Sequence, residues 1–494
     1  MSLCLNGDSL DARNPDRMTH CREHGAIQPG IRWGPFTLRI PFLHVQAEGP
    51  EVIQGLMVAG ATGMAIVPLY QEYFGMSFET AVAFCVVQSL WIYSAFLLFG
   101  DPYCPGWITP ALPLVLRDTL SYTTIAERID FVNAVLLLVA GVFLFFGVTG
   151  LGEAFLRAVP RVLKAGIILG AGMSGLYGEF IPRTGGRPSR MDGYTVSILV
   201  AVGVTLLLMF SAPLERWKAR FPWIGSIASL GIAPGFFLAM VVGPWVGEVS
   251  YASFRAFFYS PQTGEWSFGL GNIFFLPDFA GLFAGFSLFG HGIPDAAMFA
   301  RALPLALAAY VIGFGYIITG SAIVKDAASE RPDELIPIDE RRTHLSVGLR
   351  NLGVVLTGGP FFPLQGPIWT GATVVVAERY RRGRKAMDSL FGGIVSYYFF
   401  GIPFFFFVAP LLELFRPVLD IAFSLTLILT GFACSYVALA MPHGRVERGV
   451  MVLVGIVIMY FSTLVGLIVG LLLTVALLGK KAWREPAGSG EATA

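Results

Sequence analysis

Pro105-Gly106-Trp107-Ile108-Thr109-Pro110-Ala111-Leu112-Pro113 in the first half of the chain has a counterpart in the second. That counterpart is Gly358-Gly359-Pro360-Phe361-Phe362-Pro363-Leu364-Gln365-Gly366-Pro367-Ile368-Trp369-Thr370. Both lie among apolar residues, yet neither supplies the roughly 20 unbroken helical residues that a membrane span requires. Non-helical backbone at membrane depth survives only where protein buries it or where it lines a cavity. Two such breaks at matching places in two halves point to the substrate site of a transporter. Each segment carries three prolines within nine residues, more than a kink needs.

The rest of the composition agrees with a membrane chain. Of 494 residues 55% are hydrophobic and only 14% charged, where soluble domains carry about 25% charged residues. The net charge of +1 gives no footprint for nucleic acid. Residues 1–50 are polar and lack the apolar core of a signal peptide, so the first span is expected to target the chain. The five cysteines form no disulfide framework. Cys85, Cys104 and Cys434 sit in or beside apolar runs as small hydrophobes. Cys4, His20, Cys21 and His24 are irregularly spaced in the N-terminal tail, and no metal or cofactor is expected. Walker, His-Glu-x-x-His and Gly-x-Ser-x-Gly motifs are missing. The chain is therefore expected to be no enzyme, and transport would use an ion gradient (H+ or Na+) or run downhill.

Apolar runs predict about fourteen spans. The first half holds 51–71, 78–99, 105–117 (short and broken), 126–149, 159–180, 193–211 and 223–247. The second holds 299–325, 343–358, 366–379 (short and broken), 386–410, 414–440, 447–461 and 463–479. Seven plus seven with a short third member in each set reads as an inverted repeat, residues 51–247 and 299–479. With both termini cytoplasmic (residues 1–50 and 480–494), most Lys and Arg fall in inside loops, among them Arg157, Lys164, Arg216, Arg379, Arg381, Arg382 and Arg445. Arg183, Arg187, Arg190 and Arg255 then face outward. The extracytoplasmic connector 248–298, with Trp266, Phe268, Phe274, Phe275 and Phe279, is expected at the interface or over the outer mouth.

Helix starts leave unpaired N–H groups and partial positive charge. Half-helices beginning near Thr109 and Gln365 would therefore present two donor-rich ends to one small substrate. Trp107 and Trp369 offer flat walls; Thr109, Gln365 and Thr370 offer side-chain donors and acceptors; Ile108 and Gly366 complete the broken backbone. Small residues on the leading helices, Gly63 in the first half and Gly313, Gly315 and Gly320 in the second, allow close packing. Tyr316, in mid-span, needs a partner for its hydroxyl. The centres of spans one, three, eight and ten carry no charge, and no arginine is expected in the pocket. Glu72, Asp118, Glu179 and Glu378 are expected at water-reachable span ends.

Thr62-Gly63-Met64-Ala65-Ile66-Val67-Pro68-Leu69, Asp101-Pro102-Tyr103…Ile108-Thr109-Pro110, Leu303-Pro304…Ala309…Ile323-Val324-Lys325 and Gly348…Asn351…Gly358-Gly359 carry a resemblance. In these residues the chain resembles the nucleobase–ascorbate permeases, which include the xanthine and uracil permeases. The resemblance covers most of residues 51–479. It implies an all-α polytopic fold of 7+7 inverted repeats, with core spans 1–4 and 8–11, gate spans 5–7 and 12–14, short strands in spans three and ten, and a homodimer. The pocket departs from that family's pattern. Ile312 stands where those permeases have a glutamate, Tyr316 replaces a histidine, and Gly366 or Trp369 meets a second acid.

The function expected from the sequence is secondary transport of a small polar, nucleobase-like solute across the lipid bilayer of a bacterial inner membrane. Recognition would rest on Gly63, Trp107, Ile108, Thr109, Ile312, Tyr316, Gln365, Gly366, Trp369 and Thr370. The alternatives are an anion carrier of the sulfate, bicarbonate or carboxylate type, and a non-transporting or channel-like scaffold.

Overall fold

Among the described residues, four helical stretches are long and apolar enough to cross a membrane unaided: Phe78–Leu97, Ile125–Thr149, Ala296–Ser329 and Ala409–Ala440. Only helices and closed barrels satisfy their own backbone in lipid, and the chain is a multi-pass integral membrane protein. The computed structural model describes residues 22–483 except 183–187, 229, 231, 261–264, 267–268, 270–271 and 400–404.

The longer helices of the first half are α1 (Gly49–Met64), α2 (Val67–Phe74), α3 (Phe78–Leu97), α4 (Leu112–Thr119), α5 (Ile125–Thr149), α6 (Arg161–Gly178), α7 (Thr195–Phe210) and α8 (Ala233–Trp245). Those of the second are α9 (Ala296–Ser329), α10 (Glu340–Thr357), α11 (Thr370–Arg381), α12 (Leu390–Phe399), α13 (Leu419–Ala440), α14 (Arg445–Tyr460) and α15 (Thr463–Leu478). They pack as two groups. Helix α5 lies against α9 and α10, α10 against α3, α1 against α12, and α9 against α11. In the other group α6 packs on α13 and α14, α14 on α15, and α7 on α8.

Several helices that start at a surface are capped by their own sequence. Ser77 caps α3, Asp295 caps α9 and Asp339 caps α10, while Thr124 and Glu127 form a capping box on α5. Close helix crossings use small residues. An ideal Cβ on Gly353 of α10 would come within 2.3 Å of the Trp91 ring, and one on Gly170 of α6 within 2.7 Å of Ile458.

Some expectations are revised. The run 51–71 is two helices, because the chain turns at Ala65-Ile66 before Pro68 starts α2 at its second position. The short strand expected in the 105–117 run is present as β3 (Gly106–Trp107). In the 366–379 run the helix does not start before Thr370, because β6 (Gln365–Gly366) and Pro367 precede it. From residue 22 the N-terminal segment is built rather than tail-like. Strands β1 (Ile31–Trp33) and β2 (Phe36–Leu38) pair antiparallel, and Arg22 bonds the Asp333 carboxylate and the Asp388 carbonyl. Cys4, His20 and Cys21 lie outside the described residues, as do Arg183, Arg187 and Phe268. The connector holds the short helices Ala252–Phe258, Phe279–Phe286 and Leu288–His291, with a hairpin of β4 (Tyr259–Ser260) and β5 (Glu265–Trp266) between the first two. It docks through the Phe275 amide on the Phe407 carbonyl and through Thr80 on Asp278.

Gly353→Ala should overpack the crossing of α10 with α3 and cost about 1–3 kcal/mol. A lowered unfolding midpoint in detergent is expected, whereas Gly203→Ala, with open space around it, should leave the midpoint unchanged.

Candidate functional site

The two broken segments meet as a two-by-two antiparallel pair, Gly106 opposite Gly366 and Trp107 opposite Gln365. The pairing continues on either side. The Ile108 amide donates to the Leu364 carbonyl (3.1 Å), and the Trp369 amide to the Cys104 carbonyl (2.7 Å). Glycine is required at both opposed positions. A Cβ on Gly106 would lie 2.8 Å from the Trp369 nitrogen, and one on Gly366 would lie 2.7 Å from the Trp107 carbonyl carbon. Leu364, fully buried, is held at φ 55°, a strained conformation for a residue with a side chain.

Side chains of α3 and α10 fix this pair. Asn351 accepts from the Gln365 amide and donates to its carbonyl, both at 2.9 Å. Arg350, with no exposed surface, donates to Gln365 Oε1 (3.2 Å) and to the Gly366 carbonyl (2.7 Å). Its Nε has no hydrogen-bond partner. No described carboxylate forms an ion pair with Arg350. Gln365 Nε2 donates to the Gln88 carbonyl (3.1 Å), and Trp107 Nε1 donates to Gln88 Oε1 (3.2 Å).

The helices that leave the pair start without side-chain caps. Neither Ile108 nor Trp369 offers a side-chain acceptor. At α11 the first-turn N–H groups of Thr370, Gly371 and Ala372 have no intrahelical acceptor. At the other start Pro110 and Pro113 have no N–H, and the Ala111 and Leu112 amides bond to Ile108 and Thr109 carbonyls. The two ends are thus unequal, with α11 the stronger donor.

Accessible surface picks out the same place. Between residues 99 and 116 every residue is buried except Trp107 and Thr109, and between 358 and 373 every one except Trp369, Thr370 and Gly371. Helix α9 runs beside both segments. Its Gly313 faces Ile108 and its Gly320 faces Ile368 and Tyr103. Half-buried Tyr316 lies on the helix between these contacts.

The expected residues therefore divide. Trp107, Thr109, Trp369 and Thr370 are part-exposed beside the strand pair, and Tyr316 stands on the adjoining helix. Ile108, Ile312 and Gly63 are buried in packing. Gln365 is not a helix start with a free side chain. It is a buried strand residue whose amide is engaged on both sides, and Gly366 is closed by its own pairing. Arg350 corrects the expectation of no pocket arginine. An ionisable residue inside the span 343–358 was the available signal. Glu179 is also corrected. It is fully buried, accepts from Ser424 and lies 3.8 Å from Arg190.

Away from the N-terminal hairpin the two helix groups are tied by charge. Arg190 reaches Glu72 of α2 (3.3 Å), Glu179 at the end of α6, and Asp420 of α13 (3.2 Å). Asp118 of α4 accepts from Thr463 of α15 (3.0 Å).

No protein-family model and no curated protein matches the chain. Among solved structures it is similar to the transmembrane domain of a cyanobacterium bicarbonate transporter, BicA. The identity is 16% and the TM-score 0.49, over 85% of this chain and 97% of that one. It is also similar to the murine Solute Carrier 26 family member A9 anion transporter in the inward-facing state, at 14% identity and TM-score 0.47, over 88% of this chain and 68% of that one. These neighbours are anion transporters, and that finding overturns the resemblance to the nucleobase–ascorbate permeases. The residues that carried the resemblance explain the error. Pro68, Gly358 and Gly359 serve a helix start, close packing and a turn, and Ile312, Gly366 and Trp369 supply none of the carboxylates expected for a base.

Asn351→Leu should leave two buried backbone groups of Gln365 unpaired, at about 1–3 kcal/mol each. A clear drop in the unfolding midpoint is expected. Asn133, whose buried amide atoms have no partner, should tolerate the same change to leucine with no loss.

Proposed function

We propose that this protein is a secondary transporter of a small anion, bound between Trp107, Thr109, Tyr316, Trp369 and Thr370. The observation that carries the reading is Arg350. A fully buried guanidinium without a carboxylate partner is costly, and an intramembrane charge of this kind is a functional feature by default. It stands behind the strand pair whose far side opens on the uncapped first turn of α11. Charge and dipole therefore have the same sign at one place. Among the described residues no carboxylate borders the opening, so nothing there opposes an anion or would pair the N–H groups of a nucleobase.

In this reading the fourteen spans form the 7+7 inverted repeat, both termini are cytoplasmic, and the protein works as a homodimer. The group built on α3, α5, α9 and α10 carries the anion. It moves against the group of α6, α13, α14 and α15, opening the site to each side in turn. The Arg190 cluster and the Asp118–Thr463 bond tie the groups on the side away from the N-terminal hairpin, which supports a conformation closed on that side.

Proteoliposome uptake of bicarbonate, sulfate and chloride tests the reading. Saturable uptake of at least one is expected, with Arg350→Gln reducing it more than tenfold and Arg350→Lys retaining part. Equal uptake by Arg350→Gln and the parent chain would sink the proposal. Arg190→Gln should loosen the closed side. A cysteine at Thr370 should then react faster with a membrane-impermeant thiol reagent added opposite the N-terminal face.

A further inference from the structure

Three arginines from separate segments meet at a second place, a cavity of about 340 Å³ on the face that carries the N-terminal hairpin. Strand β1 supplies Arg32, the residue after β2 supplies Arg39, and the first turn of α10 supplies Arg342. Gln28, Phe36 and Pro337 complete the wall that matters, and among the described residues no carboxylate lines it.

Arg39 is the unusual member. It is 1% exposed, yet its Nε and Nη1 have no hydrogen-bond partner. Its Nη2 reaches only the Gln28 carbonyl, at 3.5 Å. The guanidinium lies 3.7 Å over the Phe391 ring, which fixes its plane. Arg342, 5% exposed, donates to the Pro337 carbonyl (2.8 Å), while its Nε is unbonded and 3.7 Å from Asp101. That carboxylate also accepts from Thr343 (3.0 Å). Burial and the neighbouring Arg342 hold Arg39 below its ordinary value, at about 10, with Glu334 acting in the opposite direction. Arg39 therefore stays cationic at neutral pH.

Buried guanidinium donors without acceptors, facing a second guanidinium, carry two penalties at once. An oxyanion in the cavity removes both. Guanidinium forks match the oxygens of phosphate, and the volume is larger than a bare ion needs, in the range of small organic ligands. We propose that this cavity binds a phosphate monoester, its phosphate between Arg39 and Arg342 and its organic body toward Phe36, with Arg32 at the entrance. The ester has two possible sources, a soluble metabolite or the headgroup of a lipid such as phosphatidic acid. Arg342 and Arg350 lie about two turns apart on α10, so occupancy would steady the helix that holds the strand pair. The binding claim itself does not depend on the transport reading.

The test uses the full chain in phosphatidylcholine nanodiscs. One arm titrates glycerol 3-phosphate by calorimetry; the other adds phosphatidic acid to the disc and follows the unfolding midpoint. Saturable binding in the first arm identifies a soluble ester, and a dose-dependent midpoint rise in the second alone identifies a headgroup. In the responding arm, Arg32→Gln, at an exposed position, should weaken the effect at least tenfold. Arg39→Lys, which keeps the charge and loses the fork, should weaken it similarly, and Arg157→Gln, at an exposed position outside the cavity, should leave it intact. No response in either arm overturns the proposal, as does a response that survives Arg32→Gln or disappears with Arg157→Gln.

Discussion

The constraint on which the rest depends is that backbone in the interior of a membrane protein must find partners. Two helices stop short there, and their loose ends satisfy each other across the antiparallel pair of Gly106-Trp107 with Gln365-Gly366. Asn351 bonds the amide and carbonyl of Gln365, and Arg350 bonds the Gly366 carbonyl. Much of the surrounding packing follows from keeping those four residues paired. The two opposed glycines let backbone approach backbone, while Gly313 and Gly320 of α9 and Gly353 of α10 make room for side chains of neighbouring segments.

The pair also produces an asymmetry that a repeat alone would not suggest. One half-helix begins in prolines and offers little beyond the Thr109 amide. The other begins at Thr370 with no side-chain cap on its first turn. The buried Arg350 beside the pair bonds the second segment. Positive potential is therefore concentrated on one side of the opening, while Trp107 and Trp369 supply apolar walls. An anion bound there would be held by dipoles and a screened guanidinium rather than by a direct ion pair. That favours binding weak enough to permit release.

The broken segments, the membrane character and four of the part-exposed residues beside the strand pair were legible in the sequence. Proline and glycine spacing excludes a continuous helix whatever the neighbours do, and Trp107, Thr109, Trp369 and Thr370 follow from where each helix can restart. Gln365 and Arg350 were misjudged for the opposite reason. Whether a glutamine side chain is free, or an arginine in a neighbouring span points at the site, depends on contacts between segments distant in sequence. The permease resemblance failed similarly, because its shared residues serve turns and packing while the substrate is set by side chains that differ.

By itself the sequence determined that the chain crosses a membrane repeatedly and that two of its helices must break within it, since hydropathy and proline act locally. Only the tertiary structure decided that the two breaks join into one strand pair, that Arg350 stands behind it, and that Arg32, Arg39 and Arg342 converge at the N-terminal face. Those arrangements join residues up to several hundred positions apart. They exist only once the helices have packed and the remaining backbone and guanidinium groups have either found partners or been left without them.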